Sequence, residues 1–81
     1  MNAHERAEAL LRALLPTLAG KLSAQDSRTV EELIDHNECV IAFENMCTQL
    51  HEFDAQLSST ELKEIRSIAS LLNVDVSYLS A

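Results

Sequence analysis

Residues 38–53 read ECVIAFENMCTQLHEF, and this stretch decides the fold. Its apolar residues recur at steps of three and four, which is the spacing of one face of an α-helix. We therefore predict a helix from about Glu38 to Phe53. The predicted inward-facing positions are Cys39, Ala42, Phe43, Met46, Leu50 and Phe53.

Three further helices are predicted around this one from capping signals and periodicity. Each begins with a polar N-cap residue that is followed three positions later by an acid. These pairs are Asn2 with Glu5, Ser23 with Asp26, and Ser58 with Glu61. The predicted inner faces are Ala3, Ala7, Leu10, Leu11, Leu14, Leu15 and Leu18 in the first helix, Val30, Leu33 and Ile34 in the second, and Leu62, Ile65, Ile68, Ala69 and Leu72 in the last.

The connections between the helices are short. Pro16 removes a backbone donor and clashes with the preceding turn, so the first helix should break between Leu15 and Leu22. The second helix should end near His36 and Asn37, because Asn tolerates a left-handed backbone. No segment alternates apolar and polar residues as a half-buried strand does. We predict one all-α domain over residues 1–81, a compact antiparallel bundle of about four helices, with an unassigned tail that could pack Val76 or Leu79 onto it.

The composition indicates an ordered globular domain. The chain is 47% hydrophobic and has one Gly and one Pro. No apolar run approaches the roughly 20 residues that cross a bilayer, and the first residues mix acid with base, so we expect a cytoplasmic protein without a membrane partner. Cys39 and Cys47 are about 12 Å apart along one predicted helix, too far for a disulfide, and should be reduced core thiols.

The net charge of −7 is concentrated in one interval. No Lys or Arg occurs between Arg28 and Lys63, so all six basic residues lie at or outside its limits. The acids within the interval are Glu31, Glu32, Asp35, Glu38, Glu44, Glu52, Asp54 and Glu61.

Catalytic and metal-binding motifs are poorly represented. The chain has no Gly-rich phosphate loop, no nucleophile elbow and no His-Glu-x-x-His helix, so we predict no enzyme activity, no catalytic residue and no cofactor. His36 with Cys39, and Cys47 with His51, are pairs of ligand-type residues. One tetrahedral zinc could not use both cysteines from positions two turns apart on a rigid helix. We expect no metal site, and a metal-dependent enzyme is the weakest alternative.

The acidic interval favours a basic macromolecular partner. Direct nucleic-acid binding needs clustered Lys and Arg, whereas a protein cleft that is built for phosphates attracts carboxylates. On a helical wheel Ile41 is near the centre of the outer face of the third helix, and Glu31 and Asp35 on the second helix have no basic neighbour along the chain. The predicted partner-binding residues are Glu31, Glu32, Asp35, Glu38, Ile41, Glu44, Asn45, Thr48 and Glu52.

Two plainer interpretations of this surface remain open. A single exposed Ile is ordinary on protein surfaces. A run of like charges is most often a solvated face.

Residues 30–54, VEELIDHNECVIAFENMCTQLHEFD, resemble the central stretch of small helical immunity proteins of the MafI type. These proteins accompany polymorphic toxins and contact-dependent growth-inhibition systems in bacteria. The resemblance covers roughly residues 22–74. Asn37 stands where the family commonly has Gly or a similar small residue. The amino-terminal 20 residues have no clear counterpart in the family. The matching positions are Leu33, Ile34, Asp35, His36, Glu38, Ala42, Glu44, Cys47, Leu50, Glu52, Leu57, Ser58, Ile65, Ala69 and Leu72.

The resemblance implies that the chain binds the carboxy-terminal domain of a cognate toxin and blocks its active site. Toxins of this class are often nucleases, including EndoU-type ribonucleases, whose clefts are basic. The free protein would be a monomer or a weak homodimer. The alternative is a regulatory, adaptor or self-associating helical module, with Ile41 in a homodimer seam.

Overall fold

Side-chain caps begin three of the four helices at the predicted positions. The structure is a computed structural model that describes residues 2–80. The helix α1 runs over Ala3–Leu14, and the Asn2 side chain accepts a hydrogen bond from the backbone N–H of Glu5 at 2.8 Å. Ser23 caps α2 in the same way, by accepting from the N–H of Asp26. Two of the predicted capping positions are therefore confirmed.

The helix α4 has a complete capping box. The helix runs over Ser59–Leu72. The hydroxyl of Ser58 accepts a hydrogen bond from the backbone N–H of Glu61 at 3.1 Å. In return, the Glu61 carboxylate accepts a hydrogen bond from the backbone N–H of Ser58 at 2.8 Å. The same carboxylate accepts from the ammonium of Lys21, which lowers the pKa of Glu61. This contact ties the loop before α2 to the start of α4.

Left-handed residues end α2, α3 and α4. The helix α2 covers Ala24–Asp35 and α3 covers Cys39–Glu52. Asn37, Asp54 and Asn73 have φ angles of 62°, 49° and 58°. In each case the next residue donates its N–H to a carbonyl one turn back in the helix, which is the Schellman arrangement. The predicted end of α2 at Asn37 is confirmed.

Pro16 causes the predicted break after α1. The α-helix ends at Leu14, and a 3₁₀ helix over Leu15–Leu18 follows with the proline in its first turn. Gly20 has a φ of 91°, a conformation that side chains rarely tolerate, and this turn leads the chain into α2.

The four helices pack as two pairs around one apolar core. The helix α1 lies against α4, α2 lies against α3, and α1 also touches α3. Phe43 and Met46 of α3 are fully buried, and no polar or charged residue is buried in the described part of the chain. The radius of gyration, 11.4 Å, is close to the value of about 11.7 Å expected for a compact domain of this length. The predicted all-α bundle is confirmed.

Three predicted inner positions are wrong. Phe53 is 65% exposed and Leu10 is 40% exposed, and Ala3 is exposed as well. Phe53 is the C-cap of α3, where the chain turns at Asp54, and Ala55 packs against the core after that turn. The helical stripe is buried only where another helix covers it.

The tail after α4 folds back onto the core. Val76 and Leu79 are both buried, and the N–H of Leu79 donates to the carbonyl of Val76. Among the described residues, the helices are all too short or too polar to cross a bilayer.

Candidate partner-binding surface

The helices differ in formal charge. The helix α1 contains two acids and two bases, and so does α4, so the formal charge of each helix is zero. In α2 four acids stand against one base, which gives −3, and in α3 two acids are unmatched, which gives −2. We call α1 and α4 the neutral pair, and α2 and α3 with the intervening Glu38 the acidic pair. The members of each packed pair thus share the same electrostatic character.

Eight of the nine predicted partner-binding residues are exposed. Ile41, on α3, is 50% exposed. The three-residue turn His36–Glu38 joins α2 to α3, so the fold brings the acids of both helices together. The exposed members of the predicted set are Glu31, Glu32, Asp35, Glu38, Ile41, Glu44, Thr48 and Glu52.

Asn45 is the least accessible member of the predicted set. Its residue is only partly exposed, and its Oδ1 atom is enclosed without a hydrogen-bond partner in the described part of the chain. Asn45 follows Ala42 by three positions on α3, and Ala42 is fully buried. This position borders the core, and the role of Asn45 in partner binding stays a prediction.

Asp35 has a basic neighbour in the fold that lies far from it in sequence. The guanidinium Nη2 of Arg12, on α1, lies 2.8 Å from the Asp35 carboxylate and 23 residues away in the chain. The Nε atom of Arg12 also lies 3.5 Å from the Oε2 atom of Glu8. The hydrogen bond with Asp35 raises the pKa of Arg12. The expectation that Glu31 and Asp35 both lack a cationic neighbour is thus wrong for Asp35.

The other carboxylates of the acidic surface are uncompensated. The ion pairs found among residues 2–80 are Arg12 with Glu8, Arg12 with Asp35, and Lys21 with Glu61. None of them involves the remaining acids of the predicted set. Those acids are Glu31, Glu32, Glu38, Glu44 and Glu52.

Tyr78 adjoins the acidic surface, and this placement was not predicted from the sequence. Its ring meets that of His51 edge to face, with 5.1 Å between centroids. Burial raises the pKa of the Tyr78 hydroxyl, and the nearby Cys47 and Glu44 raise it further, whereas Thr48 acts in the opposite direction. The tail therefore places a 42% exposed aromatic ring beside the outer face of α3. The available signal was an aromatic residue between two apolar ones, Val76 and Leu79.

The two cysteines are core thiols, as predicted from their spacing. Cys39 and Cys47 are free and buried. Burial raises the pKa of Cys47 to about 12 and raises that of Cys39 as well. The thiolate is the form that attacks electrophiles and binds metals, so both side chains are chemically quiet near neutral pH.

The predicted ligand-type pairs are divided between core and surface. Both His36 and His51 are exposed, whereas the cysteines beside them in sequence are buried. The Nδ1 atom of His36 lies 2.7 Å from the carbonyl oxygen of Glu32. Over residues 2–80, no cluster of three or more His, Cys, Asp or Glu side chains has the geometry to hold a metal ion.

Comparisons of the chain with models of known protein families, with curated proteins and with solved structures give no significant match. A functional assignment therefore depends on the charge, exposure and packing of the residues described above.

Proposed function

We propose that this protein is an immunity protein that binds a cognate nuclease toxin domain and occludes its basic active-site cleft. The observation that carries the proposal is the set of uncompensated carboxylates on the acidic pair, together with the half-exposed Ile41 on α3. The class of partner, a nuclease toxin domain, is taken from the resemblance of residues 30–54 to MafI-type immunity proteins. Occlusion is stoichiometric, so it requires no catalytic group on this chain.

Electrostatic attraction is the first step of the proposed mechanism. A nuclease cleft carries cationic side chains that bind phosphates. The acidic pair presents fixed negative charge to such a cleft, which speeds encounter by factors of roughly 10 to 1000 and fixes the orientation of docking. The rate advantage should fall steeply as salt screens the charges.

Ile41 supplies the proposed apolar anchor. Half of its surface is still accessible in the free protein, so docking can remove that half from water. Full burial of an Ile side chain contributes about 1.5–3 kcal/mol, so the remaining half corresponds to about 1 kcal/mol. The substitution Ile41→Ser should therefore raise the dissociation rate about fivefold. It should also lower the stability of the free protein by about 1 kcal/mol, because the other half of the side chain is already buried in the fold.

Growth rescue tests the proposal. If genome sequencing shows a large secreted protein encoded next to this gene, its carboxy-terminal domain is the toxin domain to express in a bacterial host. Co-expression of the wild-type chain should restore growth, and the Glu44→Lys/Glu52→Lys variant should restore it poorly at equal protein level. Failure of the wild-type chain to rescue growth, with both proteins soluble, would overturn the assignment.

Self-association through Ile41, the other interpretation of this surface, is opposed by its charges. A two-fold contact centred on Ile41 would bring Glu38 and Glu44, the acids on either side of it, of one copy towards the same two acids of the other. Like charges placed together across an interface are repulsive. A stable dimer that Ile41→Ser converts to monomers would favour that module over the immunity function.

A further inference from the structure

A groove lies between the two helices of the neutral pair. Its volume is about 430 Å³, and its lining includes Arg6, Leu10, Ala13, Thr17, Glu64 and Ser67. Leu10 is 40% exposed there, although it belongs to the apolar stripe of α1. The groove is thus a concave feature of mixed polarity with a projecting apolar side chain on the same face.

The walls of the groove carry opposite charges. Arg6 is on α1 and Glu64 is on α4, and both are exposed. Neither takes part in the ion pairs found among residues 2–80. A two-fold axis oriented so that Glu64 of a second copy meets Arg6 also brings Arg6 of that copy to Glu64, by symmetry. The face is therefore complementary to itself in charge.

The charge distribution also favours this face over the others. Two copies of a chain with net charge −7 repel each other unless they meet where the local charge is near zero. Both α1 and α4 satisfy that condition, whereas α2 and α3 carry −3 and −2. A contact through the neutral pair keeps the two acidic pairs away from the interface.

We propose that the groove between α1 and α4 is the interface of a symmetric homodimer. Leu10 of each copy enters the groove of the other, where Ala13, Thr17 and Ser67 leave room for it. Two ion pairs between Arg6 and Glu64 flank these contacts. The acidic pair remains accessible on both subunits, so the proposal is independent of toxin binding.

The area available indicates a weak dimer. Helices of 12 and 14 residues are about 18 Å and 21 Å long at 1.5 Å per residue. Their shared face is on the order of 400 Å² per subunit, below the roughly 800 Å² of a standard interface. We expect a dissociation constant on the order of tens of micromolar, because so small an area leaves little free energy beyond the cost of association.

Charge reversal provides the decisive test, read by sedimentation equilibrium from about 1 µM to 1 mM. The Arg6→Glu variant places like charges opposite each other at both ends of the interface, and so does Glu64→Arg. Each variant alone should be monomeric. An equimolar mixture should form a heterodimer, because one contact then pairs the two introduced side chains and the other pairs the native Arg6 with the native Glu64. Both contacts of the heterodimer therefore join opposite charges.

This mixture also controls for misfolding, since two unfolded variants could not restore a specific dimer. A steric pair of variants adds a second readout. Ala13→Arg fills the groove with charge and should give monomers, whereas Ile41→Arg on α3 should leave the dimer intact. The proposal is overturned if the wild-type protein is monomeric at 1 mM, if either single reversal leaves dimerisation unchanged, or if the mixture stays monomeric.

Discussion

The guanidinium of Arg12 donates a hydrogen bond to the carboxylate of Asp35 across 2.8 Å, and so joins the last turn of α1 to the last residue of α2. The contact connects a helix of the neutral pair to a helix of the acidic pair. It also neutralises part of the charge on α2, and leaves Asp26, Glu31 and Glu32 as the acids of that helix outside the ion pairs found among residues 2–80. The negative field of the surface is therefore centred closer to α3 than the sequence indicates.

Removing Arg12 should weaken the fold slightly. Both partners are exposed, so solvent screens the pair, and surface ion pairs contribute little to stability. Arg12→Gln should lower the urea midpoint by a small amount, and Arg66→Gln, which removes the same charge from α4 without breaking an ion pair, should lower it less. A double-mutant cycle with Asp35→Asn should show positive coupling. A coupling energy of zero would mean that the pair has no role in stability.

The two phenylalanines should differ sharply in their effect on stability. Phe43 is fully buried, whereas Phe53 is 65% exposed. Phe43→Ala removes a core ring and leaves a cavity, at a cost of about 3–5 kcal/mol, and Phe53→Ala should stay within about 0.5 kcal/mol of wild type. Urea unfolding followed by circular dichroism measures both. Equal losses would show that Phe53 is packed in solution.

The capping box of α4 should contribute measurably to stability. Ser58→Ala removes the acceptor for the N–H of Glu61 and should cost about 1 kcal/mol. Ser59→Ala is the matched control, because Ser59 is exposed in the first turn and lies outside the capping box. Thermal unfolding of the two variants side by side tests the difference, and a Ser59→Ala loss as large as that of Ser58→Ala would contradict it.

Stability should fall at alkaline pH because of Cys47. The folded state raises the pKa of this thiol from 9.0 to about 12, so above pH 9 the unfolded chain releases a proton that the folded chain keeps. Unfolding is then favoured as pH rises. Between pH 8 and pH 10 the thiol should account for a loss of about 1.4 kcal/mol.

The control for this effect is Cys47→Ala. Its absolute stability will be lower because of the cavity, so only the change between pH 8 and pH 10 is compared. That change should be smaller than in the wild-type protein by the contribution of the thiol. Identical pH slopes would show that Cys47 ionises equally easily in the folded state.

The helices and their ends could be predicted because the signals are local. Ser58 with Glu61, and Pro16, act within one turn of their own position, and so do the left-handed residues. The apolar spacing of α3 likewise needs no knowledge of the rest of the chain. Asp54 and Asn73 have the same left-handed backbone as Asn37 and end α3 and α4 in the same way.

The candidate site could be predicted only in part because its details depend on packing. The contact between Arg12 and Asp35 spans 23 residues and forms only when the two helix pairs assemble around the core. Tyr78 reaches α3 because Val76 and Leu79 anchor the tail. The partial exposure of Asn45 reflects which side of α3 the neighbouring helices cover. None of these follows from the periodicity of a single segment.

The structure also selects the acids to mutate. Glu38 is the N-cap residue of α3, where a Lys would place positive charge against the positive end of the helix dipole. A loss of binding by such a variant would combine altered folding with altered charge. Glu44 and Glu52 are exposed within α3 and take part in no ion pair found among residues 2–80, so changes there report on the surface itself.

The most direct measurement of the central claim is the association rate with the toxin domain at low and high ionic strength. Glu44→Gln/Glu52→Gln raises the net charge by two on the acidic pair, and Ala9→Lys/Ser70→Lys raises it by two on exposed positions of the neutral pair. At low salt the first variant should associate at least several-fold more slowly than wild type with a weaker salt dependence, and the second should remain close to wild type. Equal slowing by both variants, or no slowing by the first, would contradict binding through α2 and α3.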